Sequence, residues 1–159
     1  DDAPAYDERA GAIELTDLDS WCSVNAQYNT NNASPDGPST SCNTTGPNSN
    51  VWFKFHASTN SITIDLKTGS SYGTMERGEV ALWDSTGNLI KCKGPNGTWS
   101  WQGTVTISVD TLSVDSLYYI SVDHFSNYDG QRGSFSLCLD DEPTYDFKSG
   151  ALVLNDIDN

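Results

Sequence analysis

At 159 residues, 36% hydrophobic and 19% charged, the chain has room for one core, and its polarity comes mainly from Ser, Thr, Asn and Gly, a composition that favours turns and short strands over helices. Eight Lys plus Arg against 22 Asp plus Glu give a net charge of −14, which repels polyanions over the whole surface and excludes nucleic acid as a partner. The same charge either draws cations such as Ca²⁺ towards the surface or simply keeps it solvated.

The chain opens on Tyr6-Asp7-Glu8-Arg9-Ala10-Gly11-Ala12-Ile13-Glu14-Leu15-Thr16-Asp17-Leu18-Asp19-Ser20, and a variant of this segment returns 139 residues later as Tyr145 to Asn159. Tyr6/Tyr145, Asp7/Asp146, Gly11/Gly150, Ala12/Ala151, Leu15/Leu154, Asp17/Asp156 and Asp19/Asp158 are identical, and Ile13/Leu152 and Leu18/Ile157 are conservative exchanges. The economical reading is one whole repeat, residues 1–142, followed by a linker and the start of the next tandem repeat, residues 143–159. The terminal copy then either hangs free or docks as a spare strand. The alternative is that two strands of one domain resemble each other because they pack alike.

Between Cys22 and Asn50 the sequence is crowded with Asn, Ser, Thr, Pro and Gly and reads as a long loop. Alternating patterns follow at Val51–Ala57, Ser61–Leu66, Glu79–Asp84, Thr104–Val109, Leu117–Asp123 and Gly133–Leu139, each of a strand's length. Turn residues separate them at Lys67-Thr68-Gly69, Ser85-Thr86-Gly87-Asn88, Gly94-Pro95-Asn96-Gly97 and Tyr128-Asp129-Gly130. No window sustains a 3.6-residue period. The pattern predicts an all-β fold, a jelly-roll-like antiparallel β-sandwich.

Cys22, Cys42, Cys92 and Cys138 contain no CxxC and lie far from either His in sequence, which favours two disulfides over zinc. Three pairings are open. The preferred one joins Cys22 to Cys42 around the polar loop and Cys92 to Cys138 on strand-like segments. An oxidising compartment follows, hence export. With no signal peptide and no apolar run near the roughly 20 residues of a membrane span, the chain reads as a processed or excised soluble piece.

Cys42, Asn50-Val51-Trp52-Phe53-Lys54-Phe55-His56-Ala57, Val80-Ala81-Leu82-Trp83-Asp84, Leu117-Tyr118-Tyr119-Ile120-Ser121-Val122-Asp123 and Gly133-Ser134-Phe135-Ser136-Leu137 together resemble the bacterial pre-peptidase C-terminal (PPC) type β-sandwich, in the form found in large surface proteins of gliding Bacteroidetes. The resemblance runs from about Gly11 to Leu139. It implies a jelly-roll-like sandwich, export and membership of a long multidomain chain, and no single activity. Members often carry an Asp-Asp pair after the cysteine that follows the Leu-Tyr or Leu-Trp strand; here Lys93-Gly94 follow Cys92, a departure at the position of any calcium site carried over from them.

Trp99 and Trp101, two apart, present both rings on one face of an extended segment and make a candidate sugar platform; the alternative is a core face or a repeat-to-repeat contact. Asp123, Asn127 and Asp129 in the loop Asp123–Gly130 are candidate oxygen ligands for Ca²⁺, although such residues also serve turns. Asp140 and Asp141, with Glu142 and the repeated Asp17 and Asp19, could bridge modules through Ca²⁺ or form a charged linker. Catalytic residues are expected to be absent: His56 and His124 sit near no GxSxG or HExxH, and a carboxylate pair such as Asp65 and Glu79 is singled out by nothing. Trp21, Trp52 and Trp83 read as core. Asn32, Asn43 and Asn96 begin Asn-x-Ser/Thr triplets, relevant only in a glycosylating host. The expectation is a non-catalytic tandem-repeat module of a bacterial cell-surface or extracellular filament or adhesin protein, with neighbouring repeats, other subunits or surface polysaccharide as partners. The alternative is a carbohydrate-binding accessory module of a secreted hydrolase.

Overall fold

The computed structural model describes residues 2–43, 45–95 and 101–141. Trp99, Asn96, Glu142 and the C-terminal copy of the opening segment lie outside them. The described residues form strands β1 (Ile13–Glu14), β2 (Trp21–Cys22), β3 (Tyr28–Asn29), β4 (Val51–His56), β5 (Ile62–Lys67), β6 (Gly78–Asp84), β7 (Leu89–Lys93), β8 (Thr104–Val109), β9 (Leu117–His124) and β10 (Ser134–Asp140), with one short 3₁₀ turn before β1 and two between later strands. One sheet has the order β1-β4-β9-β6-β7; the other runs β2-β10-β5-β8, with β3 also paired to β10. The pairings are antiparallel apart from β1, which joins β4 in parallel. The protein is an all-β, jelly-roll-like sandwich stapled by two disulfides.

The core lies between the sheets. Phe53 of β4 is aligned with Ile120 of β9, which is aligned in turn with Leu82 of β6. From the facing side Phe135 meets the Phe53 ring edge-on at 6.2 Å, and Tyr28 stands at 4.7 Å, an arrangement that aromatic quadrupoles favour. Along β5, Ile62, Ile64 and Leu66 are buried while Thr63, Asp65 and Lys67 are not, as alternation requires of a sheet with one wet face.

β6 and β9 break that pattern. Both faces of these strands are largely buried, because the outer face of their sheet carries a second apolar cluster. Trp52, Ala81 and Trp83 form it, with Ala12, Leu89, Cys92 and Tyr119 packed around them. The polar loop before β4 lies over this outer face.

The disulfides hold that cover in place, and their pairing differs from the preferred one. Cys22 bonds Cys138, and Cys42 bonds Cys92. Cys22 of β2 stands directly opposite Cys138 of β10 in the antiparallel ladder, so its partner is the last strand and not the nearest cysteine in sequence. Cys92 lies on the edge strand of the other sheet, where the loop reaches it through Cys42. The loop is therefore strapped to the sheet instead of closed on itself.

Candidate functional site

The opening segment is part of the body. Trp52 N donates to Tyr6 O at 2.9 Å and Leu15 N to Lys54 O at 2.8 Å, which seats the segment along β4. The Tyr6 ring enters the core with the rings of Tyr28 and Phe53, each centroid at 5.8 Å, and burial raises its phenol pKa above the ordinary value, against a smaller opposing effect of the Asn29 backbone. Asp7 accepts from the backbone N and the hydroxyl of Ser34 at 2.7 and 2.9 Å. Arg9 lies over the Tyr119 ring at 4.0 Å and donates to the carbonyls of Asp84 and Ser85 at 3.1 and 3.0 Å. A Cβ on Gly11 would stand 2.3 Å from Ala5 O, so only glycine fits without a shift. Leu15 and Leu18 are buried.

These contacts sort most of the recurring positions; Gly11, Asp17 and Asp19 recur unchanged although exposed. Tyr6, Asp7, Ala12 and Leu15, all buried or half-buried, recur unchanged; Arg9, Ile13 and Leu18, likewise withdrawn from solvent, recur as Lys148, Leu152 and Ile157. The unlike exchanges, Glu8/Phe147, Ala10/Ser149, Glu14/Val153, Thr16/Asn155 and Ser20/Asn159, fall on exposed positions of the first copy. The correspondence also extends upstream, Asp1, Asp2 and Pro4 recurring as Asp140, Asp141 and Pro143.

Past Leu15 the segment turns, with Asp17 at φ 54°, and lines a cleft of about 630 Å³ with His56, Ser58 and Asp141. The Asp141 carboxylate accepts from the Ser58 hydroxyl, and its carbonyl accepts from Thr59 Oγ1 at 2.6 Å. His56 is exposed, with Nδ1 3.1 Å from Asp115 O. The structure thus brings Asp141 together with the repeated Asp17 and Asp19. Asp140 stays on β10, opposite Thr63.

Asp123 does not join Asn127 and Asp129. Its carboxylate accepts from the backbone N–H groups of Asn48 (2.8 Å), Ser49 (3.0 Å) and His124 (2.8 Å), whereas Asp129 pairs with Arg132 at 3.1 Å on the surface and Asn127 is exposed. Strand parity is the cause: Asp123 points to the outer face with Ser121 and Tyr119, under the polar loop.

Beneath that loop lies a small, polar, enclosed space. Glu79 of β6 is aligned with Asp123 of β9, so both carboxyls stand on the covered outer face. With Pro38, Thr40, Asn43, Gly46, Pro47, Asn50 and Ser121 they line a cavity of about 10 Å³, space for one water or one bare ion. Glu79 is 2% exposed. Its Oε1 accepts from the Thr40 hydroxyl, while Oε2 is enclosed with no hydrogen-bond partner. The nearby Asn43 amide donates to His124 O at 3.3 Å. Burial pushes the Glu79 pKa up to about 7, with hydrogen bonding by Thr40, and to a smaller degree Asn43, opposing the rise and the Asp123 charge adding to it. Sequence reasoning offered Asp65 as the partner of Glu79, but Asp65 lies on β5 in the opposite sheet, accepting from Thr106 Oγ1 at 2.5 Å. The alignment of two strands some forty residues apart is what selects Asp123.

At the far corner, Trp101 and Tyr72 are 49% and 40% exposed. Both border one turn: Thr68 N donates to Gly103 O, and Tyr72 N to Gly69 O. Lys67 Nζ stands 5.7 Å from the Tyr72 ring centroid.

No protein-family model matches the chain, and no curated protein matches it. Among solved structures the chain is similar to a family 6 carbohydrate-binding module whose binding sub-sites were dissected by X-ray crystallography and isothermal titration calorimetry, at 13% identity and a TM-score of 0.32. The alignment covers 57% of this chain and 65% of that one, so the chain spans less than two thirds of that neighbour.

Proposed function

We propose that this chain is a non-catalytic module of a tandem array in a bacterial cell-surface or extracellular filament or adhesin protein, each module completed by an opening segment that docks along its own β4. One observation carries the reading. The recurrence at residues 145–159 keeps or conservatively exchanges the withdrawn positions that dock the first copy, and its unlike exchanges all fall on exposed ones, although exposed Gly11, Asp17 and Asp19 also recur unchanged; this is the pattern expected of a segment that seats on a body like this one. Residues 6–19 already fill the seat here, so the second copy has its natural seat on another module. The chain leaves the described body at Asp141, on the wall of the cleft that Asp17 and Asp19 also line, where a joint between modules would form. Two disulfides agree with an oxidising, extracellular setting, and no helix among the described residues is long and apolar enough to cross a membrane.

The test uses a chain lacking residues 1–20 and two synthetic peptides, residues 1–20 and residues 143–159. If the reading holds, both peptides restore the same cooperative thermal transition, and a Tyr145→Ala, Leu154→Ala version of the second does not. Restoration by the first peptide alone would overturn it.

A second reading has its own observation. Trp101 and Tyr72, two exposed rings at one corner, could stack on sugar rings as a carbohydrate-binding accessory module does. Glycan-array binding that disappears in the Trp101→Ala, Tyr72→Ala double variant supports it; the absence of any glycan binding by the unaltered chain removes it.

A further inference from the structure

We propose that the cavity between Glu79 and Asp123 is a site for one hard divalent cation, calcium above all, buried beneath the loop that Cys42–Cys92 straps to the sheet. The site is separate from the module joint and does not depend on the array.

Four observations converge on it. Two carboxylates from adjacent strands face one enclosed space. Glu79 is 98% buried, and Oε2 has no hydrogen-bond partner although it borders room for one ion. A carboxylate oxygen left so carries an uncompensated desolvation cost, which a bound cation or a proton would relieve. Among the described residues no Lys, Arg or His lines the cavity beside the pair. The remaining side-chain oxygens are neutral, from Thr40, Asn43, Asn50 and Ser121. An all-oxygen lining with two negative charges suits Ca²⁺, which takes oxygens in flexible geometry, and suits neither zinc nor copper. No group of three His, Cys, Asp or Glu placed to hold a metal ion occurs among the described residues, so the neutral oxygens would complete the shell.

The surroundings are also prepared for a fixed ligand. Three backbone N–H groups hold Asp123 in place. A Cβ on Gly46 would stand 2.8 Å from Asn43 Nδ2 and 3.3 Å from Asp123 Oδ2, so the loop backbone closes tightly on the cavity. Trp83 Nε1 donates to Ser121 Oγ at 2.9 Å, which puts an indole next to the lining and provides an optical probe. Terbium, a luminescent calcium substitute, would be excited through that ring.

The experiment titrates calcium chloride, and separately terbium chloride, into the metal-stripped full chain and into Glu79→Gln and Asp17→Asn/Asp19→Asn variants, by calorimetry, thermal melting and tryptophan-sensitised terbium emission. The unaltered chain is expected to bind one calcium, melt higher with it and sensitise terbium. Glu79→Gln loses about tenfold or more in affinity, since ligand charge sets calcium affinity, yet in chelator it melts no lower than the unaltered chain, because the amide needs no counter-charge. Trp83→Phe keeps calcium binding and loses most of the sensitised emission. Calcium affinity unchanged by Glu79→Gln overturns the proposal, as does a chain whose melting and heats ignore calcium. Loss of binding in Asp17→Asn/Asp19→Asn but not in Glu79→Gln would move the ion to the cleft and overturn it as well.

Discussion

At Glu79 the fold holds a carboxyl where its neutral form is favoured. Its pKa stands at about 7 against 4.5 for the ordinary group, so without bound cation the folded state binds more protons than the unfolded state between those values. That contribution is fully present below about pH 4.5 and is lost as the pH rises to about 7, a swing of up to about 3 kcal/mol. His124 works the other way. It is fully buried, and burial lowers its pKa, with Arg132 adding to the fall and the nearby carboxylates opposing it; the folded state therefore gains stability as pH rises towards the ordinary value of the imidazole. In chelator, guanidinium unfolding of Glu79→Gln between pH 5 and 8 is expected to lose the downward trend and keep the upward one that His124 imposes. Equal slopes in the two proteins would show that Glu79 does not titrate as described.

The element that most changes the meaning of the fold is the docked opening segment. Tyr6 supplies a core ring between Tyr28 and Phe53, so Tyr6→Ala is expected to cost about 3 kcal/mol, the range of large aromatic truncations, measured as a shift in denaturant midpoint. Glu8→Ala, an exposed position of the same segment, should change it by less than about 0.5 kcal/mol. Much of this level was legible in the sequence. The predicted strand at Thr104–Val109 has the observed bounds of β8, and the other five predicted strands match β4, β5, β6, β9 and β10 to within a residue at each end. The strand missed at Leu89–Lys93 is an edge strand, mostly exposed, and its alternation, Ile90 and Cys92 against Lys91 and Lys93, spans only four residues. β1, β2 and β3 are two residues each, too short to display a period. The disulfide pairing and the Glu79–Asp123 alignment were hidden for a different reason. Both arise from strands that become neighbours only through sheet order, which local patterning does not encode. One signal was available for the covered pocket: β6 and β9 show apolar residues on both faces, Trp83 and Tyr119 included, which marks a sheet face that something must cover.

For the whole molecule, the two sheets and the strapped loop make a three-layered stack in which the polar loop, not a third sheet, shields Trp52 and Trp83. The bond between Cys22 and Cys138 then has a mechanical consequence. It joins the strand just after the docked segment to the last strand, 116 residues apart in sequence. A load entering near Ser20 and leaving near Asp141 passes between the neighbouring strands β2 and β10 through a single covalent link, and the chain between carries no tension. In a force-extension experiment on linked copies, the oxidised body should resist unravelling and release only its outer segments, while reduction of the disulfides should let each copy yield roughly 400 Å more on stretching. Such a bead would behave as an inextensible tether, its length under load set by the spacing of its bodies and not by how much of each one unfolds.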